Sequence, residues 1–540
     1  MLRKRLLAIL LIFVIILSAC SSEGVKEVKN HQSKGDFVSK SGSGDSIKIV
    51  AGSENKVLEP ILEEYAKKSG KKIEMAYMGS LDIMRMLSSD NIKYDAVWPA
   101  SSIWLNMGDT NRILKHAETT SITPVVFGVK KSLAKKLGFE GRDDIKLREI
   151  INSIEKGELK FAMTSATQSN SGASAYLAFL TALSKNPKDG LTMDDLKNPD
   201  LEKDIKSLLS GVNRSSGSSN WLVDLFMMGD YDAMVNYEQL IIQTNKELEK
   251  AGKEPLYAIY PVDGLSISDS PLAYVDKGDD KKEEEFLDLQ KYILSKETQK
   301  EIEKTGKRNA FSQIDEKNKD IYKSEWGINP DKVLSPIRFP QSPVISEALL
   351  LYQTSFKKPA YTIYVLDYSF SMRGKGQEQM LKALEEVFIP ANASKNLLQA
   401  TSKDKTVILP FDGKPRQITI VEGSDLTRLY EIAKDTELGP GTGLYEAVMQ
   451  ALEMARNESN LNNYTPAIVL LTDGAANGSM DIDDLKTKYT NVNMDIPIFS
   501  IKFGNAVDEE LDDIATLTNA RVFDGRKDLI KAFQSVKGYN

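Results

Sequence analysis

Short, nearly continuous apolar runs alternate with stretches of helical spacing along most of this chain, and that alternation points to parallel α/β sheets. IKIVAG (47–52) reads as a strand, and VLEPILEEYAKKSG (57–70) as a helix ended by its glycine. KKIEMAYMG (71–79), LDIMRMLSS (81–89) and YDAVWPA (94–100) continue the series as strand, helix and strand. A second block of this kind spans about 125–260. The chain then returns through SISDSPLAYV (266–275) and closes with the helical runs KKEEEFLDLQKYILS and KETQKEIEKTG. With 540 residues, the chain exceeds one domain of ~100–200 residues. DKVLSPIRFPQSPV (331–344) marks a seam, because its three prolines favour extended chain. A helix-like stretch, ISEALLLYQTSF, leads on to YTIYVLD (361–367), a strand of the fully buried kind. Beyond it strands are expected at 406–411, 416–421 and 495–503. Helices are expected at 426–436 and 507–517, and in the C-terminal KDLIKAFQSVKG. The crevice at the carboxyl ends of such strands is where ligands bind in open α/β sheets.

Residue usage narrows the chemistry. A single cysteine forbids an intramolecular disulfide, and two histidines leave little for zinc or copper sites or for Cys–His and Ser–His catalysis. The formal charge of −7 gives a nucleic-acid partner no electrostatic support. Carboxylates, hydroxyls and backbone groups remain. No constellation for hydrolysis is visible among them, and the chain is read as a non-enzyme.

The chain opens with Arg3, Lys4 and Arg5, followed by an apolar run from Leu6 to Leu17. That run is short of the ~20 residues a membrane span requires and has the anatomy of a secretory signal. It ends in Leu17-Ser18-Ala19-Cys20, which resembles the bacterial lipobox. The resemblance implies removal of a signal peptide at 1–19, lipidation of Cys20 (palmitate among the acyl groups), and anchoring on the extracytoplasmic face of the bacterial cell membrane. An ordinary signal or a short anchor with an incidental cysteine is the alternative. Residues 20–45 are rich in Ser, Gly and Lys and read as a flexible tether, with His31 solvated inside it.

The block 46–335 resembles the bacterial extracellular solute-binding proteins, with two α/β lobes and two chain crossings. The resemblance is carried by Gly52-Ser53-Glu54, Met78-Gly79-Ser80, Tyr94-Asp95-Ala96-Val97-Trp98, an apparent crossing at 121–139, and EFLDLQKYILSKETQKEIEKTGKRN (285–309). It implies ligand contacts at Ser53, Ser80 and Ser101 and within Thr164–Gly172, where Thr164 and Ser171 stand between a strand and a helix. Hydroxyls and N–H groups at such a helix start suit a small polar or anionic solute, although Ser, Thr and Asn are also ordinary helix caps. Asn236, Tyr237 and Glu238 end another strand and are expected in the same cleft.

In the last block YTIYVLD delivers Asp367, followed by Ser369 and Ser371 in Asp-x-Ser-x-Ser spacing. Thr442 stands just before the helical GLYEAVMQALEMA, and TPAIVLLTDG (465–474) delivers Asp473 at a strand end. Two carboxylates and three hydroxyls at one sheet edge suit a hard divalent cation, Mg²⁺ or otherwise Mn²⁺ or Ca²⁺. Loop and helix capping would use the same residues without a metal. The five positions match the metal-ion-dependent adhesion site of von Willebrand factor A domains, over roughly 358–540, with Phe370 where that family often has glycine. The resemblance implies a doubly wound, Rossmann-like domain. It further implies Mg²⁺ held by Asp367, Ser369, Ser371, Thr442 and Asp473, with one coordination position open to a carboxylate of an acidic protein partner.

The expected organisation is therefore α/β throughout: signal peptide 1–19, tether 20–45, a two-lobed solute-binding-protein-like domain 46–335, a linker 336–357 and an A domain 358–540. The expected function is membrane-anchored, Mg²⁺-dependent binding of an acidic protein, with a solute-binding or scaffold module at the N-terminus. A substrate receptor for a membrane transport system is the alternative. Trp98, Trp104, Trp221 and Trp326 are read as packing residues, and GKGQ (374–377) lacks the spacing of a phosphate-binding loop.

Overall fold

A computed structural model describes residues 36–89, 92–395, 398–473, 475–504, 508–526 and 529–539, the side chains of 529–531 and 539 excepted. The expected signal peptide, Cys20 and His31 lie outside these residues, as does most of the expected tether. Residues 36–540 form one compact unit built on three mixed sheets.

The first lobe is a six-stranded sheet in the order Phe37–Val38, Lys71–Tyr77, Ser43–Ala51, Ala96–Trp98, Pro271–Val275, Leu114–Thr119. Ser43–Ala51 runs parallel to both of its neighbours, as the βαβ rhythm requires. Leu114–Thr119 (LKHAET) has no apolar periodicity and is mostly exposed, being an edge strand paired only to Pro271–Val275. In the second lobe the order is Leu256–Ile259, Ser121–Lys130, Ala233–Tyr237, Phe161–Thr164, Val212–Ser216, with Ser266–Ser268 and Arg308–Asn309 also pairing to Ser121–Lys130. That long strand lies nearly buried along its length, which its near-continuous apolar run provides for.

Two features depart from the sequence expectations. The chain passes between the lobes three times, not two: between Thr119 and Ser121, between Ser268 and Pro271, and again after the helix Lys296–Lys304. At the third passage Gly306 takes φ +89°, a conformation that favours glycine, and Arg308–Asn309 then pairs antiparallel with Ser121–Ile122. The segment read as a linker, 336–357, belongs to the second lobe: its helix-like stretch is the helix Ser342–Leu351, with Pro343 in the first turn, where its missing N–H costs nothing. Val344, Ile345, Ala348, Tyr352 and Phe356 enter the core of the second lobe. The Tyr176 hydroxyl donates to Ala348 O at 2.8 Å.

The third sheet runs Thr419–Glu422, Lys405–Phe411, Ala360–Asp367, Thr465–Thr472, Ile498–Lys502, Val522–Asp524. All pairs are parallel except that between Lys405–Phe411 and the edge strand Thr419–Glu422. Apolar clusters cover both faces of this sheet, so it is doubly wound. Ala360–Asp367, in the middle, is buried at every position.

The second lobe and the third sheet meet at the amino ends of the parallel strands. Arg214, 3 % exposed, pairs with Asp495 at 2.5 Å and donates to Asn519 O at 2.7 Å. The Tyr231 hydroxyl donates to the other Asp495 oxygen at 2.8 Å. Gln168 Nε2 donates to Gln534 O, and Ser215 Oγ to Gly538 O at 3.0 Å, on the C-terminal helix Leu529–Tyr539. Trp221, read from the sequence as a packing residue in a loop, instead starts a helix and packs into the core cluster of the third sheet, with the Arg521 guanidinium 4.7 Å above its ring. Asp495→Ala leaves the Arg214 charge buried with carbonyl contact alone and is expected to cost about 2–4 kcal/mol. Urea denaturation checks this, and a loss below about 0.5 kcal/mol would show the pair to be solvated.

Candidate functional site

At the carboxyl edge of the third sheet, Asp367 ends its strand beside Thr472, the last residue of the neighbouring one. Asp367 is fully buried. Its Oδ1 accepts from Ser369 N–H at 2.8 Å and its Oδ2 from the Thr472 hydroxyl at 2.6 Å. From there the hydroxyls of Ser369 and Ser371 lie 2.8 Å apart, and Ser371 Oγ donates to Asp473 Oδ1 at 3.0 Å. Four of the five expected ligands thus form one hydrogen-bonded chain. Small residues make room for it: a Cβ on Gly376 would stand 3.1 Å from Asp473 Oδ2.

Thr442 belongs to the adjoining loop. That loop is drawn to the site by the bridge between Ser369 and Gly439 and by Gly439 N–H donating to Tyr368 O at 2.8 Å. Asn477 fixes Thr442 from both sides, accepting from its N–H at 2.6 Å and donating to its carbonyl at 3.0 Å. Thr472 and Asn477 were not singled out in the sequence, although a hydroxyl closing an apolar strand directly before an aspartate is a visible signal.

Burial pushes the carboxyl of Asp367 above its ordinary range; the Thr472 and Ser369 hydrogen bonds oppose this, and the Asp473 charge adds to it. Asp473 is raised by burial against the Ser371 hydrogen bond. Neither has a Lys or Arg partner among the described residues. Two acids whose ionised forms are disfavoured and three hydroxyls, with no Lys or Arg acting on the acids among the described residues, make an all-oxygen donor set that fits a hard divalent ion. No group of three or more His, Cys, Asp or Glu able to hold a metal occurs among the described residues. Phe370 projects beside this edge at 50 % exposure, with the Arg373 guanidinium 5.4 Å from its ring centre.

Where the two N-terminal lobes meet, the expected solute residues are placed differently from one another. Ser80 Oγ accepts from Ala100 N–H at 3.0 Å, tying its helix start to the loop after Ala96–Trp98, and Ser101 Oγ faces Ile103 N–H at the start of its own helix, so both are engaged within the first lobe. Ser53 opens a short 3₁₀ turn, and its carbonyl accepts from Asn220 Nδ2 at 2.9 Å across the lobes. Thr164, Ser171 and Ser219 share a buried run of hydroxyls with 2.8 Å steps. The Tyr237 hydroxyl accepts from Asn170 Nδ2 at 2.9 Å, and burial holds its phenol far above the ordinary range. Asn236 is committed to Ser219 O, and Glu238 to Arg308. Glu54, Gln239 and Lys307, which sequence reasoning did not place in the site, are buried at this junction.

Two crevices, one between the lobes and one at an oxygen-lined sheet edge, are the places where sheets of this kind take ligands. Residues 47–308 match the family model for bacterial extracellular solute-binding proteins, and residues 363–534 that for the von Willebrand factor type A domain. The chain thus carries a segment that matches the extracellular solute-binding family, followed by one that matches the von Willebrand factor A domain.

Among solved structures, the periplasmic binding protein AfuA of Actinobacillus pleuropneumoniae, with exogenous fructose-6-phosphate bound, is similar at 15 % identity. The match covers 51 % of this chain and 88 % of that one, with a TM-score of 0.39. The substrate binding protein of the ABC transporter from Agrobacterium tumefaciens gives 12 %, 59 %, 97 % and 0.42 in the same order. The ferric binding protein from Campylobacter jejuni gives 17 %, 57 %, 98 % and 0.38. No curated protein matches the chain. No helix among the described residues is long and apolar enough to cross a membrane.

Proposed function

We propose that this chain is an extracytoplasmic, non-enzymatic binding protein, held at the membrane through Cys20. Its A domain takes an acidic protein partner at a divalent-cation site, and its N-terminal module takes a small polar solute. The observation that supports the first role is the hydrogen-bonded chain from Asp367 through Ser369 and Ser371 to Asp473 at one sheet edge. Asp367, Ser369, Ser371, Thr442 and Asp473 would hold the ion, Mg²⁺ first. When bound, it supplies an electrophilic position for a partner carboxylate. Thr472 and Asn477 orient this set: one holds Asp367 from behind, the other fixes the backbone of Thr442. The exposed Phe370 adds apolar contact beside it.

Isothermal titration of Mg²⁺ and Mn²⁺ into the full chain is expected to show saturable binding. Asp367→Ala combined with Asp473→Ala should abolish that binding while leaving the unfolding midpoint of the metal-free protein equal or higher, because two buried carboxylates are gone. Binding that survives both substitutions would place the ion elsewhere and sink the adhesion reading. Delivery of a solute to a membrane permease, with the A domain as accessory, is the second reading, favoured by the family match over 47–308. Lobe closure on one tightly bound small molecule, seen by small-angle scattering, would select it.

A further inference from the structure

The junction of the lobes holds an opposed pair of charges that do not meet. Glu54 follows the strand Ser43–Ala51 of the first lobe, and Lys307 lies on the third crossing, one residue before Arg308 pairs with Ile122. Glu54 is 5 % exposed and Lys307 0 %. Glu54 Oε1 and Lys307 Nζ have no hydrogen-bond partner among the described residues, and the two form no ion pair. They are nevertheless near enough for the charge of each to act on the other.

Other groups converge on the same place. Tyr237, at the carboxyl end of its strand, feels the Glu54 charge. Gln239, two residues on, is fully buried with both amide atoms unpartnered. A Cβ on Gly306, beside Lys307, would stand 3.6 Å from Gln239 Cα. Ser266 Oγ is a further buried unpartnered group, on a residue registered with Val125, which in turn faces Tyr237.

Buried polar groups are nearly always hydrogen-bonded, and an unpaired buried charge is costlier still. One unsatisfied atom would pass as a packing fault. One oxygen of a carboxylate, an ammonium and a complete amide left open at one junction are complementary to something that brings the missing partners. The crossing itself is held rigidly: the Tyr322 hydroxyl donates to Lys307 O at 2.7 Å, and Arg308 is locked by Glu238. The open groups are therefore held in place in advance, as low-cost recognition requires.

We propose that the inter-lobe site takes a small zwitterion of the α-amino-acid type, its cationic group at Glu54, its anionic group at Lys307, and its remaining polar atoms at Gln239. This rests on the reading of residues 47–308 as a solute-binding module and gives that module a substrate class. A monoanion would leave Glu54 unanswered, and a neutral sugar would leave both charges unanswered.

The test uses the purified full chain. The protein-forming α-amino acids and glycine betaine are added one at a time, beside ethylamine, propionate, glucose and inorganic phosphate, with thermal unfolding and titration calorimetry as readouts. At least one zwitterion is expected to raise the unfolding midpoint where the half-molecules do not. Glu54→Gln and Lys307→Gln should each weaken that binding about tenfold or more, with the unfolding midpoint of the free protein unchanged or raised. If phosphate, propionate or glucose binds and no zwitterion does, the substrate class is wrong while the solute-binding reading stands. If none of these compounds binds and both substitutions lower the midpoint, the charges are an internal structural pair, and the solute-binding reading of this junction falls with the proposal.

Discussion

Glu238→Ala will destabilise the N-terminal domain by about 3–5 kcal/mol, the cost of stranding a guanidinium in the interior. Glu238 and Arg308 are 0 % and 1 % exposed and meet through two parallel N–H···O bonds of 2.9 Å, the bidentate geometry that makes such pairs strong. The Tyr260 hydroxyl donates to the same carboxylate. Without Glu238, Arg308 keeps only the carbonyls of Asn329 and Pro330, each at 3.4 Å. Arg308→Ala should cost a similar amount, by stranding the carboxylate. Glu238→Leu with Arg308→Met and Tyr260→Phe removes every charged or hydroxyl member at once and should recover most of the loss, since an apolar replacement of a buried pair is often neutral. Urea denaturation monitored by far-ultraviolet circular dichroism decides it. A single-substitution loss below about 1 kcal/mol would mean that water reaches the pair.

Lys307→Met is expected to do the opposite. Burial pulls the Lys307 ammonium down to about 8, with the Glu54 charge working against the shift. A lysine whose folded-state value lies below its unfolded value of 10.5 binds fewer protons when folded across that interval. Its charge therefore penalises the fold fully at neutral pH, and the penalty fades as pH rises from about 8 to 10.5. Methionine removes the charge at similar length, so the variant should be more stable by roughly 2–3 kcal/mol at pH 7. The two proteins should converge as pH approaches 10.5. Comparing the two proteins at each pH cancels the titration of every group that does not feel Lys307, leaving Glu54 as the coupled exception. A variant that is less stable at pH 7, or a gap that does not close, would show that Lys307 already has a counter-charge in the free protein.

The contrast between these neighbours also explains what the sequence could and could not disclose. Runs such as YTIYVLD and the FAMT before Ser165 announce buried strands because nearly every position is apolar, β-branched or aromatic, and those strands are present at Ala360–Asp367 and Phe161–Thr164. The oxygen cluster was legible because Asp367, Ser369 and Ser371 are local, and Asp473 closes an equally clear strand. Leu114–Thr119 gave no signal, since an edge strand that faces solvent needs no alternation. The helix Ser342–Leu351 was legible in ISEALLLYQTSF, but its start and its docking into the second lobe were not, because the prolines before it read as a seam and one of them sits in its first turn. The ion pair of Glu238 with Arg308 and the open pair of Glu54 with Lys307 join residues distant in sequence, and periodicity carries no information about such meetings. For the same reason Trp221 gave no sign of packing against the A domain, because a residue that anchors one domain in another has no local pattern.

The helix Ser342–Leu351 has a consequence for the order in which the chain is made. The second lobe cannot finish its core until Val344, Ile345, Ala348, Tyr352 and Phe356 have been supplied, long after its last strand has left the ribosome. Only three residues then separate Phe356 from Ala360, where the central strand of the A domain begins. A nascent chain cut at residue 335 would expose the apolar seat of that helix, with Tyr176 deprived of Ala348 O. Completion of the first domain is thereby tied to the synthesis of the segment that leads into the second.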